Sequence, residues 1–269
     1  VLGSPIAHSL SPAIHRAAYR YLGLSWEYTA HDVNETGLGP FLATLDSQWR
    51  GLSVTMPLKR AALELSNDAS TIAQTVGAAN TLIRADDGRL FADNTDAPGV
   101  VAVLTEQAVD ITSPVCVWGA GATTASVLVA LTSLTSGPIH VHVRSVERAR
   151  AALAVASAAG RPAQPVSWAV GNGCRQAGVT ISTAAAHALD GVAVELAAGI
   201  TAGQVLFDIV YDPWPTRVAE QWMRRGGAVA SGLDLLVHQA VGQLKLMTGE
   251  DVPLMVLRTA AEAAIAASP

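Results

Sequence analysis

The sequence predicts an α/β chain of two domains, the second built on an open parallel sheet, and three observations carry that prediction. The chain has 269 residues, close to the size at which one hydrophobic core divides into two. Half of its residues are apolar and 14% are charged, so there is ample material for burial and no reason to expect disorder. From Val115 onward, short β-rich runs alternate with Ala-rich helical stretches, the order of βαβ units.

Taken in order, the segment up to about Gly99 mixes strands and helices, with strand-like WEYTAHDV and GLSVT. A hairpin from NTLIR to LFADN turns at Asp86, Asp87 and Gly88. The parallel part follows: strand VCVW, a helix over 123–134, strand HVHVR and a helix over 147–159. Further short apolar runs at PVSWA, VTIS, VLFDIV and AVAS extend the sheet. Two helices close the chain, one over 233–247 and one beginning at Pro253, a residue suited to a first helical turn. These are expected to pack back on the first domain, giving one domain of residues 1–98 completed by 233–269 and another of 99–232. With no repeat or low-complexity linker, the domains are expected to be joined by helices.

Charge and composition exclude several classes. A formal charge of −5, with no run of like charges, provides no basic face for nucleic acid. No apolar stretch reaches the roughly 18 residues that span a bilayer, and the start lacks a basic segment followed by an apolar one. The chain opens on Val1 rather than Met, so a few preceding residues are expected. Cys116, inside VCVW, reads as a small buried apolar group. It and the sequence-distant Cys174 are expected to be reduced, as in cytoplasm. His8 and His238 lack carboxylates or cysteines at metal-ligand spacing. His140 and His142 share a strand face but have no third ligand in view, so they read as surface or edge residues and no metal is expected.

Directly after VCVW come Gly119, Ala120, Gly121, Ala122, Thr123, Thr124 and Ala125, opening a helix. Glycines there permit a tight turn and bring backbone N–H groups up to a pyrophosphate at the positive end of the helix. The GxGxxG pattern is incomplete, since Thr124 holds its last position. The next strand ends in His142-Val143-Arg144-Ser145. An arginine stands there in place of the acidic residue that takes the ribose 2′-hydroxyl of NAD. Arg144, assisted by Arg148, suits a 2′-phosphate, so NADP is the expected cofactor of a Rossmann-like domain.

The first segment carries GSPIAHSLSPAIH, GLSVTMPLK, AANT and ADNTD, and the last part carries GLDLLVHQA. Together, in this order around a dinucleotide loop, they resemble the shikimate dehydrogenase family over nearly the whole chain. The resemblance implies an N-terminal substrate domain and NADP-dependent reduction of 3-dehydroshikimate to shikimate, a step towards aromatic amino acids. It makes Lys59 and Asp96 the catalytic pair and Ser9 and Ser11 the holders of the substrate carboxylate. Thr55, Asn80 and Gln239 would bind ring hydroxyls, with Thr95 and Tyr211 contributing to the site. Gly119 to Thr123, Arg144, Ser145, Arg148, Thr183 and Gly232 would bind the cofactor in a cleft that closes by a hinge. The partner is thus a small molecule, and the protein a monomer or homodimer.

The residue types suit the chemistry on their own. Hydride addition to a ketone leaves an alkoxide that must receive a proton as it forms, and a lysine is a fitting donor. A carboxylate such as Asp96 orients it, so the proton transfer belongs to the dyad. Serine hydroxyls donate to a carboxylate, and Pro5 and Pro12 stiffen the loop that presents Ser9 and Ser11. Standing alone, Asp96 would read as a helix cap, Lys59 as a solvated residue, Ser9 or Ser11 as caps and Asn80 as a turn residue.

The chain departs from the family pattern at Ser53, where asparagine is usual, at Ala122 for a common glycine, and at Val143 for an asparagine. VTISTAAAHALDG is a poor copy of the usual turn near the nicotinamide, and Asp234 replaces an apolar flank, so Asp234→Met is expected to strengthen NADP binding. Two other readings stay open: a quinate/shikimate dehydrogenase using NAD, and a non-catalytic dinucleotide-binding paralogue that regulates a partner.

Overall fold

The structure is a computed structural model that describes residues 1–109 and 112–267. The chain separates into two compact units, Val1–Gly99 with Leu236–Pro269, and Val100–Leu235.

In the first unit β1 (Leu2–Gly3) leads to α1 (Ser11–Tyr21), which carries Pro12 in its first turn and turns Ile14, Ala17 and Ala18 inward. β2 (His31–Asp32) pairs with β1 in parallel, and α2 (Glu35–Leu42) follows, capped by the Asn34 side chain on Gly37 N–H. Then come β3 (Gly51–Ser53), α3 (Lys59–Glu64) and β4 (Asp68–Ala69). α4 (Thr71–Val76) runs between a Ser70 cap and a left-handed Gly77, and β5 (Thr81–Arg84), β6 (Leu90–Asp93) and α5 (Asp96–Glu106) complete the series. A four-stranded sheet has the order β3-β5-β6-β4, with β5 antiparallel to both neighbours, so the expected hairpin forms. A bridge from Leu2 to Val54 links β1 to the chain leaving β3. Gly3 permits that approach, because a Cβ there would stand 2.3 Å from Thr55 Cγ2. Leu2, Leu38, Leu52, Leu58 and Leu82 fill the core beneath.

The strand expected over WEYTAHDV is only β2. Upstream of it the backbone is satisfied differently: the Tyr28 carbonyl accepts both Nε and a terminal NH2 of Arg16, and the Thr29 carbonyl accepts the Val1 amino group. At Tyr28 a side-chain donor replaces the ladder, whereas at Thr29 the pairing with β1 continues, since Val1 donates to Thr29 and its carbonyl accepts the His31 N–H.

The second unit alternates strands and helices as predicted. Its elements are β7 (Val115–Trp118), α6 (Ala122–Leu134), β8 (Ile139–Val143), α7 (Val146–Ala158), β9 (Gln164–Ser167) and α8 (Asn172–Arg175). β10 (Val179–Ser182), α9 (Ala193–Leu196), β11 (Val205–Asp208), α10 (Arg217–Met223) and β12 (Ala228–Ser231) follow. All six strands are parallel in the order β9-β8-β7-β10-β11-β12. This is the doubly wound arrangement, with strand order reversing between β7 and β10, and ligands bind at the carboxyl ends of strands at such a reversal.

α11 (Gly232–Thr248) returns the chain to the first unit, where α12 (Leu254–Ala266) packs on α1. Pro253 is the residue before α12 rather than part of its first turn; its ψ of 133° is extended. Among the described residues no helix is long and apolar enough to cross a membrane.

Candidate active site

In the first unit, Lys59 opens α3 and Asp96 opens α5, and the Lys59 Nζ donates to Asp96 Oδ2 at 2.6 Å, with the side chains 14% and 7% exposed. The capping reading of Asp96 does not hold. Asn94 Oδ1 accepts the Ala97 N–H at 3.2 Å and closes the helix start, which releases the Asp96 carboxylate for other partners.

Asn80 organises the rest. Its Oδ1 accepts the Thr95 N–H at 2.8 Å, and since a backbone nitrogen can only donate, the other end of the amide must face the carboxylate. The Nδ2 accordingly lies 2.9 Å from Asp96 Oδ1, 2.9 Å from Thr95 Oγ1 and 3.1 Å from Gln239 Oε1. Gln239 is fixed by donating Nε2 to the Leu236 carbonyl at 2.9 Å. Both Asp96 oxygens therefore accept, and the ammonium is held by a carboxylate whose own position is determined by an amide. Lys59, Asn80, Thr95, Asp96 and Gln239, scattered along the sequence, form one network.

Behind Asn80 lies a layer that the sequence reading missed. Gln243 Nε2 donates to the Asn80 carbonyl at 3.0 Å and to Thr81 Oγ1 at 3.1 Å, while its Oε1 accepts Ser53 Oγ at 2.7 Å. The Tyr28 hydroxyl donates to Ser53 Oγ at 2.5 Å, and His15 stacks on Tyr28 with centroids 4.1 Å apart. His15 Nδ1 stands 3.0 Å from the Ser11 carbonyl, and burial pushes its pKa down to about 3. Gln243 follows Gln239 by one helical turn and so shares its face, a signal available from spacing alone. Ser11 is buried and Ser9 half-buried; Ser9 Oγ accepts the Ser11 N–H at 3.3 Å, yet neither caps α1, whose N-cap position is Leu10. Thr55 is half-buried, its methyl against Gly3.

In the second unit the glycine loop sits at the carboxyl end of β7, beside the strand-order reversal. Gly119 has φ +139°, and a Cβ on it would lie 2.1 Å from Thr183 Oγ1. Thr124 explains the missing third glycine: its Oγ1 accepts the Gly121 N–H at 3.0 Å and pairs with Thr183 Oγ1 at 2.7 Å, locking the loop to the end of β10. No Gly121 side chain caps α6, so the first-turn N–H groups remain available to an anion. Arg144 is exposed, its guanidinium 4.6 Å from the Trp168 ring centroid and donating to the Ala188 carbonyl at 3.1 Å. Ser145 caps α7, with Arg148 exposed in its first turn. Gly232 touches Ile209, whose carbonyl oxygen would be 2.0 Å from an added Cβ. Tyr211 is half-buried, its pKa raised by burial.

The comparisons with known proteins agree with this layout. A family model described as the shikimate dehydrogenase substrate binding domain matches residues 1–82. The shikimate dehydrogenase (NADP(+)) of Thermus thermophilus is 36% identical over 250 residues, covering 93% of this chain and 91% of the relative. The chain belongs to the shikimate dehydrogenase family. The crystal structure of the Mycobacterium tuberculosis shikimate dehydrogenase superposes with a TM-score of 0.88 at 37% identity, covering 97% of each chain. A Thermus thermophilus shikimate 5-dehydrogenase, crystallised in complex with NADP(H) and shikimate, gives 0.84 at 32% identity, covering 98% of this chain and 97% of the other.

Against this shikimate dehydrogenase frame, two departures acquire a structural account. Ser53 bridges Tyr28 and Gln243, so its hydroxyl belongs to the buried layer. Asp234 Oδ2 accepts from both the backbone N–H and the hydroxyl of Ser231, at 2.7 and 3.0 Å, so its charge is engaged at the start of α11. One expectation needs correction. His142 is neither a surface nor an edge residue: β8 lies between β7 and β9, and the ring is 4% exposed and stacked on Trp118 at 4.0 Å. Nor does it lack further ligand-type neighbours, because Cys116 and Cys174 lie beside it.

Proposed function

We propose that this member of the family catalyses the reversible NADP-dependent reduction of 3-dehydroshikimate to shikimate. The observation that carries the reading is the largely buried Lys59–Asp96 pair with Asn80 and Gln239 around it. NADPH, when bound, supplies the hydride. As the carbonyl carbon accepts it, the electron pair moves to oxygen, and Lys59 Nζ delivers a proton there; in the oxidative direction Lys59 takes that proton back. Asp96 keeps the ammonium aimed, and Asn80 keeps Asp96 in place. Asn80, Gln239 and Thr55 orient ring hydroxyls with Thr95, while Ser9, Ser11 and Tyr211 hold the carboxylate.

Residues Gly119 to Thr123 would take the pyrophosphate on backbone N–H groups, and Arg144 with Ser145 and Arg148 the 2′-phosphate. Arg144 already lies on the face of Trp168, a pose that leaves one guanidinium face for adenine. Thr183 and Gly232 flank the nicotinamide end. The same reading takes the protein as a cytoplasmic monomer or homodimer, and light scattering decides between the two states. Reduced-cofactor absorbance, followed with shikimate or quinate and with NADP or NAD, tests the activity. Fastest turnover is expected for shikimate with NADP; a preference for quinate with NAD, or no turnover, overturns it.

A further inference from the structure

We infer that Cys116, His142 and Cys174 form a zinc-type metal site inside the second unit, distinct from the residues proposed for the dinucleotide. Their ligand atoms, one per residue, all lie within 4.8 Å of one another, and all three residues are buried, at 0%, 4% and 4% exposure. The fold brings them together from three elements. Cys116 and Trp118 point to one face of β7, His142 sits on the same face of β8 in register with Trp118, and Cys174 comes down from α8. Both cysteines are free thiols in the structure.

The imidazole is already set in the tautomer that a metal requires. His142 Nδ1 lies 3.0 Å from the Ser167 carbonyl oxygen, which can only accept, so the proton resides on Nδ1 and the lone pair on Nε2. That Nε2 stands 2.9 Å from Cys174 Sγ. A ligating histidine that donates its second ring nitrogen to a backbone carbonyl is the usual outer arrangement of zinc sites. Stacking on Trp118 at 4.0 Å and 9° fixes the ring plane.

Charge selects the ion. Two thiolates, a neutral imidazole and a divalent cation sum to zero, which an apolar interior tolerates; a monovalent ion would leave a buried negative charge. Thiolate and imidazole together favour zinc over the hard cations. Binding releases one proton from each thiol to solvent and forms two metal–sulfur bonds and one metal–nitrogen bond, with no change of oxidation state. With Zn–S near 2.3 Å and Zn–N near 2.0 Å, ligand atoms of a tetrahedral site stand about 3.5–3.8 Å apart. Rotamer adjustments of roughly 1 Å would bring the observed cluster to that spacing. For the fourth position the face offers a neutral oxygen: Thr180 lies opposite Cys116 on β10, wholly buried, its hydroxyl without a hydrogen-bond partner among the described residues.

The test uses the full chain, reduced, stripped with chelator and titrated with Co²⁺ under anaerobic conditions. Because the sequence holds two cysteines, any thiolate-to-cobalt charge-transfer absorption reports this site. The expected result is saturation at one equivalent, bleaching on addition of Zn²⁺, and loss of the band in Cys174→Ser. His142→Gln, which keeps both thiols, is expected to weaken Co²⁺ binding at least about tenfold and to alter the visible bands. Circular dichroism establishes that each variant is folded, and if Cys174→Ser is not, His142→Gln carries the test. Absence of charge transfer in the parent protein, or Co²⁺ affinity unchanged in His142→Gln, overturns the proposal. So does aerobic loss of both titratable thiols to a disulfide in a protein that, once reduced, takes up no Co²⁺.

Discussion

The two units assemble their candidate binding groups in opposite ways. In the first, side chains from four distant segments hold one another: Lys59 on Asp96, Asp96 on Asn80, Asn80 on Gln239. In the second, the groups proposed for the cofactor lie largely along a continuous strand, turn and helix start, and backbone geometry sets their placement. A side-chain network should fail through chemistry when one member is changed, because each polar group left behind is buried and unpaired. A backbone site should fail through shape, and should tolerate the loss of many side chains.

The largest contrast is expected from Lys59→Ala. Steady-state turnover of shikimate should fall by about 10²–10⁴-fold, with shikimate affinity by calorimetry changed by less than about tenfold. Equal losses in both would show that Lys59 serves binding rather than proton transfer. Gly119→Val tests the other unit. An added Cβ would meet Thr183 Oγ1 at 2.1 Å on a backbone at φ +139°, so NADP affinity should drop at least about tenfold. Shikimate affinity should stay the same, and a parallel fall in both would erase the proposed division of labour.

A smaller effect concerns the layer behind Asn80. Gln243→Leu removes partners from the Asn80 carbonyl, Thr81 and Ser53. The Asn80 carbonyl keeps the Val54 N–H and the Thr81 hydroxyl keeps Asn80 Oδ1, so the Ser53 hydroxyl is the donor left unpaired, and unfolding in urea should show a loss of about 1–3 kcal/mol. A loss below about 0.5 kcal/mol would remove Gln243 from the network. A further effect unfolds gradually with pH. The pKa of His15 falls from 6.5 to about 3 on folding, so between those values the unfolded chain binds a proton that the native state excludes. Stability is therefore complete above pH 6.5 and declines as the medium is acidified, by at most about 1.4 kcal/mol per pH unit. His15→Phe should flatten that part of the pH–stability curve, and an unchanged slope would assign it to other groups.

How far the site could be read in advance follows the same divide. The parallel unit was legible because its signals are local: VCVW, the glycine turn and the helix after it occupy adjacent positions, and their periodicities name them. The strand predicted at WEYTAHDV is cut short where Arg16, a distant side-chain donor that no window reveals, takes the Tyr28 carbonyl. Asp96 was ambiguous for a related reason. A carboxylate at a helix start is a cap unless another residue takes that task, and only the fold shows Asn94 taking it. Asp234 shows the reverse case, a charge that stands out in the sequence and whose local partner, Ser231, only the fold displays.

Local order along the chain, the elements of the parallel sheet and the residue types needed for proton transfer were all determined by the sequence itself, because each depends on neighbours within a few positions. Which carboxylate meets which amine, which end of the Asn80 amide faces it, and that two cysteines and a histidine converge beneath β7 were decided by tertiary structure alone. Those outcomes depend on hydrogen-bond direction and on the alignment of strands and helices far apart in the chain, and both exist only once the backbone has folded.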